Sequence, residues 1–199
     1  MLTTVDFLRH GEASGGSYYR GATNDPLTEL GWQQMHKTVA DQQWDHIISS
    51  PLQRCFDFAQ QLSKKTKTTL SSDANWQEIN FGDWEGKVAE QINPVDLIQF
   101  YQDPVNNPPK NGDRYLVFQS RINQAWDDLI RLYPNQHILV VTHAGVIRSL
   151  FPLFLNLPIA NIFNLQVDLA SITRFQYFQD SQNQFITLVF HNNKNFSIN

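Results

Sequence analysis

The sequence predicts an α/β protein: a three-layer α/β/α sandwich. Two observations carry this. Short apolar runs rich in β-formers alternate with longer stretches whose apolar residues recur at helical spacing. Three of the short runs also end abruptly in polar residues, "FLRHGE", "IISSPLQR" and "VVTHAG", and open α/β sheets bind ligands beyond the carboxyl ends of their strands.

Each element follows from its local pattern. A strand is expected over 2–8, then a helix in "LTELGWQQMHKTVADQ" after Pro26, then a strand in "WDHIISS". Ser50 is read as the N-cap of a helix over 51–65, with Pro51 at the first helical position, where its missing N–H costs nothing. After an extended piece near "TKTTLS", the segment 74–111 is irregular, punctuated by Gly82, Gly86 and "DPVNNPPKNG". It reads as loop and short helix, and 74–114 as a lid-like insertion over the active site. An amphipathic helix follows over about 115–132, then the strand "HILVVTH" and a helix, "AGVIRSLFPLFL", leaving it directly. Two last strands flank "DSQNQ" and close the sheet antiparallel. No repeat or linker divides the 199 residues, so one domain is expected over 1–199.

Composition narrows the function. Hydrophobic residues make up 41% and charged residues 17%, which excludes a highly solvated chain. The formal charge is −4 and the basic residues cluster only in "SKKTK", so nucleic acid is not an expected partner. A small anion needs only a local positive pocket. The single Cys55 excludes an internal disulfide, and no cysteine cluster suggests zinc. Residues 1–16 lack the apolar core of a signal peptide, and no apolar run reaches membrane-spanning length. A cytoplasmic protein without a membrane partner is expected; oligomeric state is not legible.

The strand-end residues Arg9, His10, Arg54 and His143 have a chemical logic. Two arginines supply planar forks for phosphate oxygens, and the helix N-termini after Ser50 and His143 add backbone N–H groups. An imidazole in such a cradle can attack phosphorus and form a phosphohistidine. No metal or cofactor is needed for that. In "WQEINFGDWEG", Glu78 is the candidate proton donor to a leaving alkoxide, kept protonated by partial burial and a nearby phosphate dianion. Asp83 and Glu85 are rivals whose spacing in a turn points instead to solvent or to local capping.

Taken together, "LRHGE", "SSPLQR", "EINFGDWEG" and "VVTHAGVIR" resemble the ordered motifs of the histidine phosphatase superfamily, the phosphoglycerate mutase-like proteins. An Arg-His-Gly triplet alone arises by chance in about one such protein in forty. Four motifs in order are far more specific. Within the family, "GGSYYRGATNDPLTELGWQQM" and "EINFGDWEG" are most similar to alpha-ribazole phosphatases of cobalamin nucleotide-loop assembly. The resemblance implies a phosphoglycerate mutase-like fold with a mixed, mostly parallel sheet between helices. It also implies His10 as the phosphorylated nucleophile, Arg9 and Arg54 as phosphoryl ligands, His143 as a stabilising group and Glu78 as acid and later base. It nominates Arg20 and the backbone of Gly21 as substrate contacts, with Ala144 beside His143. The implied activity is metal-independent hydrolysis of alpha-ribazole 5′-phosphate. Alternatives are a broad sugar-phosphate phosphatase, a mutase, or an inactive phosphate-binding or protein-interaction module.

Two departures stand out. Gly16 occupies a place where many relatives carry Asn, and "NGDRY" replaces a Gly-Glu-Ser element, which alters Asp113 and Arg114. His36, His46, His137 and His191 are read as structural, Arg148 as one half of an ion pair and Cys55 as a small core residue. Tyr18, Tyr19, Phe81 and Trp84 either fill core or stack on a flat base.

Overall fold

A computed structural model describes residues 1–40 and 42–194. Six strands form one sheet: β1 (Leu2–Arg9), β2 (His46–Ser49), β3 (Thr69–Ser72), β4 (His137–Thr142), β5 (Ile172–Gln179) and β6 (Gln184–Asn193). Their spatial order is β3-β2-β4-β1-β5-β6. β3, β2, β4 and β1 are parallel neighbours, whereas β5 pairs antiparallel with β1 and β6 antiparallel with β5. The sheet is mixed and mostly parallel, as the resemblance implies, and closes antiparallel, as the last two strand patterns predict.

Helices cover both faces because the strands are apolar on both. In β4, Ile138 and Val140 face a core with Val5 and Phe7 of β1 and with α4 (Tyr115–Leu132) and α5 (Ala144–Leu155). Leu139 and Val141 face the opposite core with Leu8, Ile47, α1 (Glu29–Val39) and α2 (Gln53–Thr66). A strand buried on both sides loses the polar alternation of a surface strand, which is why "HILVVTH" reads as a continuous apolar run.

Boundaries differ where side chains have other partners. α1 is shorter than its pattern, and Asp41, in the predicted tail, lies outside the described residues. Its N-cap is Thr28, whose side chain accepts from the Gly31 N–H. The expected cap at Ser50 is corrected: α2 begins at Gln53, with Leu52 at the N-cap and no side-chain cap. Ser50 Oγ lies 2.8 Å from His143 Nε2, and the Gln53 N–H is taken by Asn24 Oδ1 at 2.8 Å.

The 74–114 segment holds three short 3₁₀ turns and α3 (Pro94–Gln102). Trp84, Ile92 and Phe100 make a small core there, with Tyr19, Phe81 and Phe163 packed on it. A further 3₁₀ helix, Ile159–Asn164, was not foreseen, since such short pieces carry no periodicity. Among the described residues no helix is long and apolar enough to cross a membrane.

One buried charge ties the strands together. Asp6, wholly buried in β1, accepts from Arg174 Nε and Nη2 at 2.7 and 2.9 Å and from Trp44 Nε1 at 2.9 Å. His137 Nε2 lies 2.8 Å away. Burial pushes the carboxyl up, but the bonds and charges of Arg174 and His137 outweigh it and hold the group below the usual carboxylate range. Removing one partner of a buried pair is costly because the other charge keeps its desolvation penalty. Asp6→Asn is therefore expected to lower unfolding free energy by about 3 kcal/mol in guanidinium denaturation.

Candidate active site

Strand register assembles the site. Arg9 pairs with Thr142 and Ser49 with Val141, so the residues that follow, His10, His143 and Ser50, emerge side by side. The His10 N–H donates to Thr142 O and the Ser50 N–H to Val141 O, each at 3.0 Å. The rings of His10 and His143 stand 5.3 Å apart between centroids, inclined at 61°.

Hydrogen bonds assign both tautomers. His10 Nδ1 lies 2.7 Å from Gly11 O. A carbonyl only accepts, so Nδ1 carries the proton and Nε2 the free lone pair. Arg54 Nε donates to His143 Nδ1 at 3.3 Å, which places the His143 proton on Nε2, donated to Ser50 Oγ. Burial, then the charges of Arg54 and Arg9, push His10 well below the ordinary imidazole value. Burial and Arg54 do the same to His143. Both rings are neutral at physiological pH.

The arginines are held by carbonyls. Arg54, wholly buried, donates through Nη1 to Thr23 O (2.5 Å) and through Nη2 to Gly21 O (2.8 Å), leaving one N–H on each terminal nitrogen. Arg9 Nη1 donates to Val167 O at 2.5 Å. Among the described residues its buried Nε has no hydrogen-bond partner, which marks a donor suited to an anionic ligand. Burial lowers Arg9 to about 10 against the opposing charge of Glu78, so it stays cationic.

Arg9, His10 and Arg20 line a cavity of about 590 Å³ whose other walls include Tyr18, Tyr19 and Tyr101. Arg20 is also anchored, to Asp25 at 2.7 Å and to the carbonyls of Ser14 and Gly16. Arg54, His143 and Glu78 do not line this cavity. Glu78 borders a smaller enclosed one with Gly145 and Arg148. Its Oε2 accepts from the Gly145 N–H at 2.9 Å and its Oε1 from the Ile79 N–H at 3.1 Å. A Cβ at position 145 would collide with that carboxylate.

Several expectations change. The helix N-termini do not offer all their N–H groups to a ligand, since Glu78 takes that of Gly145 and Asn24 that of Gln53. Gly21 does not present its N–H to substrate: Glu85 takes it. Ala144 is buried at the first position of α5. Arg148 makes no ion pair among the described residues; its Nε donates to Leu165 O at 3.0 Å. Glu85 caps locally, at Phe81 N, but chiefly across to the 21–23 loop. Burial raises that carboxyl, and its hydrogen bonds more than reverse the effect. Asp83, exposed, accepts from Asn111.

Trp84 is buried, with Tyr19 5.5 Å from its ring. Phe81 packs on Tyr19 and Phe100, so neither Phe81 nor Trp84 lines the large cavity. Asp113 accepts from the Asn80 N–H at 3.0 Å, while Arg114 is exposed. Cys55 is buried, its thiol pushed up to about 12 by burial. Three contributors were missed. Ser50 holds His143, Tyr101 reaches Tyr19 with hydroxyls 2.8 Å apart, and Arg121 grips the carbonyls of Asn75, Gln77 and Glu78. Ser50 left a signal in the polar strand end "IISSPLQR", where it reads as a cap, and Arg121 one as a cation one residue from the apolar stripe of α4. Among the described residues no group of three or more His, Cys, Asp or Glu side chains is placed to hold a metal ion.

A family model, the histidine phosphatase superfamily (branch 1), matches residues 5–191. The chain belongs to the histidine phosphatase superfamily. Relatives within it include a bifunctional protein of Mycobacterium tuberculosis, 29% identical over 187 residues, which cover 89% of this chain and 51% of that protein. The chain thus spans about half the length of its mycobacterial relatives. The adenosylcobalamin/alpha-ribazole phosphatase of Salmonella typhimurium is 27% identical over 81% of this chain and 84% of its own. Among solved structures, a mycobacterial glucosyl-3-phosphoglycerate phosphatase superposes with a TM-score of 0.85 at 26% identity, covering 96% of this chain and 99% of that one. That phosphatase has also been solved with inorganic phosphate and with VO3.

In this superfamily member the two imidazoles are depressed in the folded state, so the unfolded chain binds protons first as pH falls. Their contribution to stability is complete above about pH 6.5 and declines below it toward the folded values. Nitrogen-15 histidine spectra are expected to show His10 and His143 neutral at pH 6, with His10 protonated on Nδ1. Midpoints near 6.5 would contradict the buried, guanidinium-flanked geometry.

Proposed function

We propose that the chain is a phosphomonoesterase that works through a phosphohistidine at His10, with alpha-ribazole 5′-phosphate as its substrate. The observation that carries the chemistry is the His10 Nε2 lone pair, fixed by the Nδ1 bond to Gly11 O and set among buried cations. His10 Nε2 attacks phosphorus as the bond to the alcohol oxygen breaks, and that oxygen takes a proton from the Glu78 carboxyl. Water then attacks the phosphohistidine and gives its proton to the Glu78 carboxylate, which releases phosphate and restores the free imidazole. Arg9 and Arg54 neutralise the equatorial oxygens, and an anion at Arg9 gives its Nε a partner. The His143 Nε2–H stays available to a phosphoryl oxygen if it leaves Ser50.

Two features support the finer substrate. The cavity of about 590 Å³ exceeds what a phosphate needs, and its tyrosines suit a flat base. The Salmonella relative acts, by its name, on alpha-ribazole phosphate. Similarity to a glucosyl-3-phosphoglycerate phosphatase favours a phosphoglycerate ester as the second reading.

A panel of alpha-ribazole 5′-phosphate, phosphoglycerates and sugar phosphates separates the two. The expected result is a kcat/KM on alpha-ribazole phosphate at least tenfold above the rest. His10→Ala is expected to remove turnover of every substrate and to abolish the acid-labile phosphoprotein trapped by rapid quench. Glu78→Gln is expected to slow alkyl phosphates by about 10²-fold or more while sparing aryl phosphates, whose leaving groups need no proton. Equal losses on both classes would refute the assignment to Glu78.

A further inference from the structure

Glu85 has no part in the chemistry above, yet its carboxylate is the most heavily bonded in the neighbourhood of the site. It accepts from the N–H groups of Gly21 (3.0 and 3.1 Å), Ala22 (3.0 Å), Thr23 (3.1 Å) and Phe81 (2.9 Å), and from the Thr23 hydroxyl. Every one of those donors is neutral. The loop it gathers is the one whose carbonyls hold Arg54.

The two sets of bonds share a peptide unit. In a trans peptide the N–H and C=O point in opposite directions. The unit joining Gly21 to Ala22 gives its N–H to Glu85 Oε1 and its C=O to Arg54 Nη2, so it stands as a strut between carboxylate and guanidinium. Two residues on, the Thr23 carbonyl takes Arg54 Nη1, and the Thr23 N–H and hydroxyl return to Glu85. Position 21 admits only glycine, because a Cβ there would strike Ile79 O and the Glu85 carboxylate. The chain of contacts ends at His143, which receives Arg54 Nε. Bonds in such a row polarise one another, and outer groups of this kind orient the inner ones.

We infer that Glu85 is a positioning residue for phosphoryl transfer: it fixes the 21–23 loop so that two carbonyls hold the Arg54 guanidinium in the orientation that meets the phosphoryl group. The inference rests on the proposed role of Arg54 as a phosphoryl ligand. It assigns the glutamate of "FGDWEG" to the aim of an arginine on another element.

A double-mutant cycle tests it, read as kcat/KM on an aryl phosphate and as inhibition by inorganic phosphate. Glu85→Gln is expected to lower kcat/KM by about 10- to 100-fold and to weaken phosphate inhibition by a similar factor. In an Arg54→Ala background the same change is expected to cost less than about threefold, because the group it positions is gone. Full multiplication of the two losses would overturn the inference and leave Glu85 a stability residue. Arg54→Ala with wild-type kinetics would remove the phosphoryl-binding role itself, a distinct failure that takes the inference with it. Should Glu85→Gln fail to fold, Thr23→Val deletes one of the same bonds, with an expected loss of about 3- to 10-fold that vanishes in the Arg54→Ala background. No loss in Thr23→Val overturns the inference. Asp83→Asn, in the same turn but exposed, is the control expected to leave both readouts unchanged.

Discussion

A buried guanidinium held by carbonyls is the constraint on which the site depends. Arg54 has no exposed surface, and its partners are Gly21 O, Thr23 O and His143 Nδ1, with no carboxylate among them. Dipoles compensate its desolvation without cancelling its charge. The positive potential therefore survives in a chain whose formal charge is −4. Burial first, and this potential second, depress both imidazoles and keep the His10 lone pair free of a proton. Arg9 follows the same rule with Val167 O. An anion entering the cavity meets Arg9, whose guanidinium is held by a carbonyl and keeps a buried Nε without a hydrogen-bond partner among the described residues.

Such a centre needs a stiff frame. Parallel pairing of β1, β4 and β2 brings the ends of three strands to one level, and helices on both faces exclude water from their interiors. Asp6 reinforces this from inside, since its carboxylate gathers groups from β5, from the start of β4 and from the segment before β2. Asp6 itself sits in the strand that delivers Arg9 and His10.

The 74–114 segment and the loop before α1 act on each other as well as on the cavity. Tyr19 N–H donates to Lys87 O, Gly86 N–H donates to Tyr19 O, and Glu85 spans the two. Aromatic packing of Trp84, Phe100 and Phe163 gives the 74–114 segment a small core. The rim of the cavity is thus built from two distant stretches joined by backbone bonds and a pair of tyrosine hydroxyls.

The sequence by itself determined the α/β class, the antiparallel close of the sheet and the places of Arg9, His10 and His143 at strand ends, with Arg54 in the first turn of the helix after β2. These follow from short-range rules: apolar periodicity, turn residues and polar groups at the tips of buried runs. Tertiary structure alone decided which of the offered donors remain for a ligand. The N–H groups of Gly21, Gln53 and Gly145 looked free in sequence, yet they are taken by Glu85, Asn24 and Glu78 from separate segments. It also decided that Ser50 holds an imidazole in place of capping a helix. The physical reason is that a hydrogen bond between residues thirty to ninety positions apart leaves no periodic trace in the chain, whereas the burial of a strand does.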